Sequence, residues 1–138
     1  MAKFTAPLEL RLYEDPEGRA ILREDRTQWL LMQDLPYGPI TAKQGYVTDL
    51  GSIPRIFWRI ESPSGRGAKG YVIHDYGYTY ALLTREQVDR LLRDALRDVG
   101  VPYLARNAIY LAVRAGGKGG YGRPSAKALD RAITSATT

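Results

Sequence analysis

The residues best suited to chemistry fall in three stretches of this 138-residue chain. Asp49 shortly precedes Ser52, His74 directly precedes Asp75, and Asp89 follows further along. A hydroxyl, an imidazole and a carboxylate are the groups of a nucleophilic triad, and a histidine beside carboxylates can also act as a general acid or base. Asp49, Ser52, His74, Asp75 and Asp89 are therefore the candidate catalytic residues.

The metal chemistry open to the chain is narrow, because His74 is its only histidine and it has no cysteine. Zinc sites need several imidazole or thiolate ligands, so these counts exclude a zinc centre of that kind as well as a thiol nucleophile. An oxygen-rich site made from Asp49, Asp75 and Asp89 would suit magnesium, manganese or calcium. The sequence indicates no other cofactor.

Three of the candidates also have a structural interpretation. Asp49 precedes an expected helix start, where a carboxylate can cap backbone N–H groups. A lone histidine is more often a hydrogen-bonded core residue, and the expected partner of His74 is Asp49 or a backbone carbonyl. Ser52 can cap the short helix expected at 53–60, and it lacks the glycine-flanked turn of a nucleophile elbow. The interpretation as a whole requires the Asp49 turn and the His74 helix to meet through a shared polar contact.

The two remaining carboxylates have structural interpretations of their own. Adjacent residues of a helix lie about 100° apart, so Asp75 is expected to face away from His74. Its own face holds Tyr71, Tyr78 and Thr79, so it is expected to be a buried carboxylate bonded to tyrosine hydroxyls. Asp89 is expected to pair with Arg85 or Arg93 on its own helix.

Strands are predicted for the first fifty residues. Leu8, Leu10 and Leu12 alternate with polar residues, as in a strand with one face inward. Further strands are predicted at 20–23, 27–33 and 40–47, and the segment 36–39, Pro-Tyr-Gly-Pro, is expected to break the chain before the last of them. The pattern predicts a small antiparallel meander.

The periodicity after Asp49 becomes helical. A short helix is predicted at 53–60 and a longer one at 68–82. Thr84 with Gln87 forms a capping box at the start of the next helix. A last helix opens at Pro102, and its single narrow polar face predicts that it is the most buried helix. Strands first and helices afterwards predict an α+β fold, with an N-terminal antiparallel β meander followed by a three-helix C-terminal half.

Residues 1–115 are predicted to form a single domain, and 116–138 a flexible glycine-rich basic tail. From Arg114 onward the chain has five basic residues and one acidic residue, which together carry +4 of the net charge of +5. Any contact with nucleic acid is therefore expected through this tail only. No apolar run reaches the length of a signal peptide or a membrane span, so membrane insertion is not expected.

Three separated motifs occur in order: Gly-Tyr-Val-Thr-Asp-Leu-Gly-Ser-Ile-Pro-Arg at 45–55, Val-Ile-His-Asp-Tyr-x-Tyr at 72–78, and Arg-x-x-x-Asp at 85–89. With them the chain resembles, over residues 40–114, a family of tailed phages and prophages catalogued as domain of unknown function 1353. Gly51 and Gly77 depart from the alanine and the larger apolar residue of that pattern.

The resemblance implies a phage or prophage origin, among late genes for particle assembly or lysis. One hypothesis is a virion- or tail-associated structural or assembly component that contacts other phage proteins, in the host cytoplasm or the assembled virion. The alternative is a small hydrolase of peptidoglycan or a phosphoester that uses His74 with Asp49, Asp75 and Asp89. An enzyme should hold His74 within about 3 Å of Asp49 or Asp89 at the floor of an open cleft, whereas an assembly protein should bury it.

Overall fold

The N-terminal half consists of short antiparallel strands in three small sheets. A computed structural model describes residues 3–23, 25–50, 65–116 and 121–122. The largest sheet has the strand order β1-β4-β7, and two further pairs are β2-β3 and β5-β6. The strands are β1 (Leu10–Leu12), β2 (Leu22–Arg23), β3 (Arg26–Thr27), β4 (Trp29–Leu31), β5 (Leu35–Tyr37), β6 (Ile40–Ala42) and β7 (Val47–Thr48).

One strand was not expected from the sequence. The prediction that the Pro-Tyr-Gly-Pro segment breaks the chain is wrong, since Pro36 lies within β5 and opposite Thr41 of β6. Only Gly38, with a φ of 54°, and Pro39 form the turn between these strands. Proline is tolerated here because β5 has a single neighbouring strand among the described residues, so one edge of it needs no ladder hydrogen bond.

The C-terminal half has the three predicted helices: α1 (Ala68–Tyr80), α2 (Arg85–Asp98) and α3 (Tyr103–Gly116). The capping box at the start of α2 is confirmed, since Thr84 Oγ1 accepts from the Gln87 N–H while Gln87 Oε1 accepts from the Thr84 N–H. The α+β class and its order of elements are likewise confirmed. The helix predicted at 53–60, and the tail apart from residues 116, 121 and 122, lie outside the described residues.

The helix at the centre of the molecule is α1. All ten residues from 70 to 79 are buried, because the helix lies between α2 on one side and strands β6 and β7 on the other. One core cluster joins the sheets to α1, and a second fills the space among the helices: Tyr71, Leu92, Leu96, Val101, Ile109 and Val113. No described helix has the length and apolar character needed to cross a bilayer.

The prediction that the last helix is the most buried one is wrong. Only Ile109 and Val113 of α3 are buried, whereas Leu104 is 81% and Leu111 65% exposed. An apolar composition on most sides of a helix usually indicates burial. It does so here for α1, but α3 is packed against α2 along one side and leaves the opposite side uncovered.

Candidate functional site

His74 lies in a buried polar network centred on Asp89. His74 Nε2 lies 2.7 Å from Asp89 Oδ1, and the Tyr78 hydroxyl donates to the same oxygen at 2.5 Å. Arg114 Nη1 donates to Asp89 Oδ2 at 2.8 Å. His74 is 4% exposed and Asp89 is fully buried. We call these four residues the Asp89 network; its donors come from α1 and α3 and its acceptor from α2, so one carboxylate joins all three helices.

Helix geometry explains how α1 supplies two donors. His74 and Tyr78 are four residues apart, on one face of the helix, and their ring centroids are 4.1 Å apart. Asp89 faces inward because it belongs to the buried side of α2, together with Val88 and Leu92. The position of Asp89 beside Val88 and three residues before Leu92 is the feature of the sequence that could have predicted an inward-facing carboxylate.

The predicted partners of Asp89 are wrong. Arg85 instead donates to the Arg114 carbonyl, at 2.7 Å from Nη2, and so satisfies backbone groups at the end of α3. Arg93 lies over the ring of Tyr110, with its guanidinium carbon 4.2 Å from the ring centroid. The actual ion-pair partner, Arg114, was missed because it lies on another helix, where the spacing rules for one helix do not apply.

The charges of the Asp89 network oppose a role for Asp89 itself as a general base. Burial alone would raise the pKa of Asp89, but hydrogen bonds from His74, Tyr78 and Arg114 outweigh it and hold that pKa below its ordinary value. Burial and the hydrogen bond to Asp89 raise the pKa of Tyr78. At neutral pH Asp89 is therefore ionised and Tyr78 protonated. A carboxylate with a lowered pKa is a weak general base.

A second buried polar cluster joins the sheet to the other side of α1. Thr48 Oγ1 donates to Asp75 Oδ2 at 2.8 Å, and the Tyr46 and Thr79 hydroxyls are 2.8 Å apart. All four side chains are at most 5% exposed. Burial and the nearby Asp75 carboxylate, to which Tyr46 also hydrogen-bonds, raise the pKa of Tyr46. We call Tyr46, Thr48, Asp75 and Thr79 the sheet–helix lock.

Asp75 is buried and bonded to a tyrosine, as predicted, but the tyrosine is Tyr46 and not one on its own face of α1; the Tyr78 hydroxyl bonds Asp89 instead. The second partner of Asp75, Thr48, was not predicted. The predicted meeting of the Asp49 turn with the His74 helix is also confirmed, but the contact runs from Thr48 to Asp75. Adjacent residues on α1 thus face different partners, His74 towards α2 and Asp75 towards β7.

Asp49 follows Thr48 directly, and besides burial its charge helps to raise the pKa of Tyr46 in the sheet–helix lock. Its carboxylate pairs with Arg26, at 3.5 Å from Nη1, and no hydrogen bond between described residues joins it to His74, so that predicted contact is wrong. The next residue, Leu50, has a φ of 66°, in the left-handed region that residues other than glycine rarely adopt. The Thr48 hydroxyl stabilises this turn by accepting from the Leu50 N–H at 3.0 Å.

The predicted oxygen-rich metal site is not formed by these residues. Asp49, Asp75 and Asp89 each contact a different element, and within the described part of the chain no three acidic or histidine side chains group as metal ligands do. Ser52 lies outside the described residues, as does the helix start that Asp49 was expected to cap.

A comparison with protein families shows which family the chain belongs to. A family model described as protein of unknown function (DUF1353) matches residues 29–113. The matched segment runs from β4 into α3 and contains the whole sheet–helix lock together with His74, Tyr78 and Asp89. No curated protein and no solved structure matches the chain. Because the family model covers more than half of it, the chain belongs to the DUF1353 family.

Proposed function

We propose that this protein is a phage-encoded, virion- or tail-associated assembly component that binds another phage protein through the outer side of α3 and has no catalytic turnover. The observation that carries the proposal is the exposure of Leu104 and Leu111, at 81% and 65%, on the side of α3 opposite the buried Ile109 and Val113. Exposed apolar surface of this kind is typical of interaction sites.

The spacing on that side suits a helical partner. Leu104, Ala108, Leu111 and Ala115 follow one another at intervals of four, three and four residues, which is the spacing of a coiled-coil seam. We call these four residues the outer seam. The alanines leave room between the leucines, so the side chains of an amphipathic helix can pack there. The expected partner is therefore an apolar helix face of another particle protein.

The burial of His74 also supports a binding role over the hydrolase hypothesis. Its imidazole is 4% exposed and its Nε2 is engaged by a carboxylate that ties three helices together. A substrate could reach that nitrogen only if the helices separated. The phage origin is proposed from the three sequence motifs, and the place of action from that origin: the assembled particle, or the host cytoplasm before assembly.

Changing the outer seam should remove the protein from particles without unfolding it. In a Leu104→Asp/Leu111→Asp variant, two charges would be buried against the apolar partner, which costs well over ~1.4 kcal/mol and should lower incorporation at least about tenfold. Because both side chains are exposed, the change costs mainly helix propensity, and the free energy of unfolding should fall by no more than about 1.5 kcal/mol. Mass spectrometry of purified particles measures the incorporation.

A matched control is the Leu22→Asp/Leu82→Asp variant. These two leucines are 55% and 54% exposed and lie outside α3, so the same change of charge and hydrophobicity is made elsewhere. It should be incorporated like wild type. Absence of the wild-type protein from particles would reject the particle role, and normal incorporation of the seam variant would reject the seam as the binding surface.

A further inference from the structure

An open cleft of about 260 Å³ lies between α2 and α3. It is unrelated to the Asp89 network and the outer seam. Arginine dominates its lining, with three arginines against a single carboxylate: Arg93, Asp94, Arg97, Tyr103, Arg106 and Asn107. The lining therefore carries a net positive charge on the folded domain, in addition to the basic tail.

Two of the three guanidinium groups have no acidic partner among the described residues. Arg97 pairs with Asp98 at 3.2 Å and lies 3.8 Å from Asp94. Neither Arg93 nor Arg106 forms an ion pair within the part of the chain that the structure describes. Their charges are thus available to an anion that enters the cleft.

Both of these groups are nevertheless held in place. The Arg93 guanidinium lies over the ring of Tyr110, and Arg106 donates to the Val101 carbonyl at 3.2 Å. The Arg106 guanidinium carbon is also 5.2 Å from the ring centroid of Tyr103. A guanidinium that is already oriented loses less conformational entropy on binding, so both arginines are prepared for a phosphate or carboxylate.

The exposed ring of Tyr103 favours a nucleic-acid ligand among the possible anions. Tyr103 is 66% exposed at the mouth of the cleft, beside the arginines. Guanidinium groups for phosphates and an exposed aromatic ring for an unpaired base are the two elements of single-strand binding sites. A carboxylate-bearing protein segment would use the arginines but would have no need of the ring.

We propose that the α2–α3 cleft binds single-stranded nucleic acid, with backbone phosphates on Arg93 and Arg106 and a base stacked on Tyr103. The sequence pattern placed any such contact in the tail only. The cleft provides a site in the folded domain that does not depend on the outer seam or on the assembly role.

Fluorescence anisotropy with a labelled oligothymidylate and the full chain tests the site. An Arg93→Gln/Arg106→Gln variant keeps the aliphatic stems but removes two phosphate contacts. Its affinity should fall at least about tenfold, and the slope of log K against log salt concentration should lose about 1.4, at roughly 0.7 for each single-strand phosphate. The matched control is Arg19→Gln/Arg90→Gln, which makes the same change of net charge at two surface ion pairs and should leave the slope unchanged.

Three further experiments test whether the cleft itself binds the oligonucleotide. Tyr103→Ala should weaken binding about fivefold or more, through lost stacking, with the salt slope kept. Duplex DNA and polyglutamate should compete poorly. If the double variant fails to fold, as seen by circular dichroism, each single arginine change should give half of the slope loss.

The basic tail provides the decisive comparison. A Lys118→Gln/Arg123→Gln/Lys127→Gln/Arg131→Gln variant should lower affinity but keep the dependence on Arg93, Arg106 and Tyr103. Equal affinity of the cleft variant and its control would overturn the proposal. So would polyglutamate competing as well as the oligonucleotide, which would assign the cleft to an acidic protein instead.

Discussion

Replacing Asp89 by alanine is expected to lower the free energy of unfolding by about 3–5 kcal/mol, the usual cost of removing one partner from a buried ion pair. Asp89 is fully buried and accepts from His74, Tyr78 and Arg114. Without it, two buried donors and a guanidinium lose their acceptor, and the three helices lose their shared contact. Urea denaturation followed by circular dichroism measures the change.

Asp94→Ala is the matched control for this substitution. Asp94 lies on the same helix, but its side chain is 45% exposed, and its one ion pair among the described residues, to Arg97, is long at 3.8 Å. Its replacement should change the free energy of unfolding by no more than about 0.5 kcal/mol. A cost for Asp89→Ala that is no greater than this would show that the Asp89 network does not stabilise the fold.

The lowered pKa of Asp89 determines how its stabilisation of the fold depends on pH. Since the pKa is lower in the folded than in the unfolded state, the carboxylate stabilises the fold fully above its ordinary pKa of 3.8. The contribution is lost as the pH falls through the folded-state pKa. Wild type should therefore be more stable than Asp89→Asn at neutral pH, and the difference should shrink below about pH 4.

Gly77→Ala is expected to destabilise the protein by about 1–3 kcal/mol, because the helix packing has no space for even one methyl group. A Cβ at Gly77 would lie 2.8 Å from Val88 Cγ1 and 3.0 Å from Ile40 Cδ1. Val88 is a fully buried β-branched residue and cannot rotate away cheaply. The close contact of α1 with α2 and with Ile40 thus explains why glycine stands at this position.

Gly70→Ala on the same helix separates this steric cost from helix propensity. A Cβ at Gly70 would have its nearest neighbours at 3.4 Å, from Ala95 and Leu96, which is ordinary contact. Both substitutions gain the same propensity, up to about 1 kcal/mol, so Gly70→Ala should be neutral or stabilising. The difference between the two unfolding free energies measures the packing at Gly77, and equal values would contradict it.

Local features were the ones that the sequence predicted well. The capping box of Thr84 and Gln87 depends only on residues three apart, and it forms as expected. The 100° between His74 and Asp75 likewise follows from helix geometry, and the structure directs these residues to different elements. The order of strands and helices, and hence the fold class, could also be read from the changing periodicity.

Features that depend on the neighbours of an element could not be predicted. The turn-forming residues around Pro36 predicted a break in the chain, but pairing with β6 outweighs this local preference and makes the segment a strand, β5. The burial of α3 was overestimated because composition does not say which side of a helix the fold covers. Arg114 was missed as the partner of Asp89 because the contact joins two helices. Asp49 was wrongly assigned to His74 because its actual partner, Arg26, lies on a strand distant in sequence.

The motif residues share one structural property. Thr48, His74, Asp75, Tyr78 and Asp89 all make buried hydrogen bonds between different elements of the fold. They join the sheet to α1 and α1 to α2. These contacts give the five residues a role in holding the elements of the fold together.

The accessibility of His74 tests this account most directly. Since it is the only histidine, the absorbance of carbethoxyimidazole formed with diethyl pyrocarbonate reports on a single side chain. A buried imidazole bonded to Asp89 should be inert in the native protein and should react fully once the chain is unfolded in urea. Reaction of the native protein at the rate of free histidine would contradict the buried network and return His74 to the candidates for catalysis.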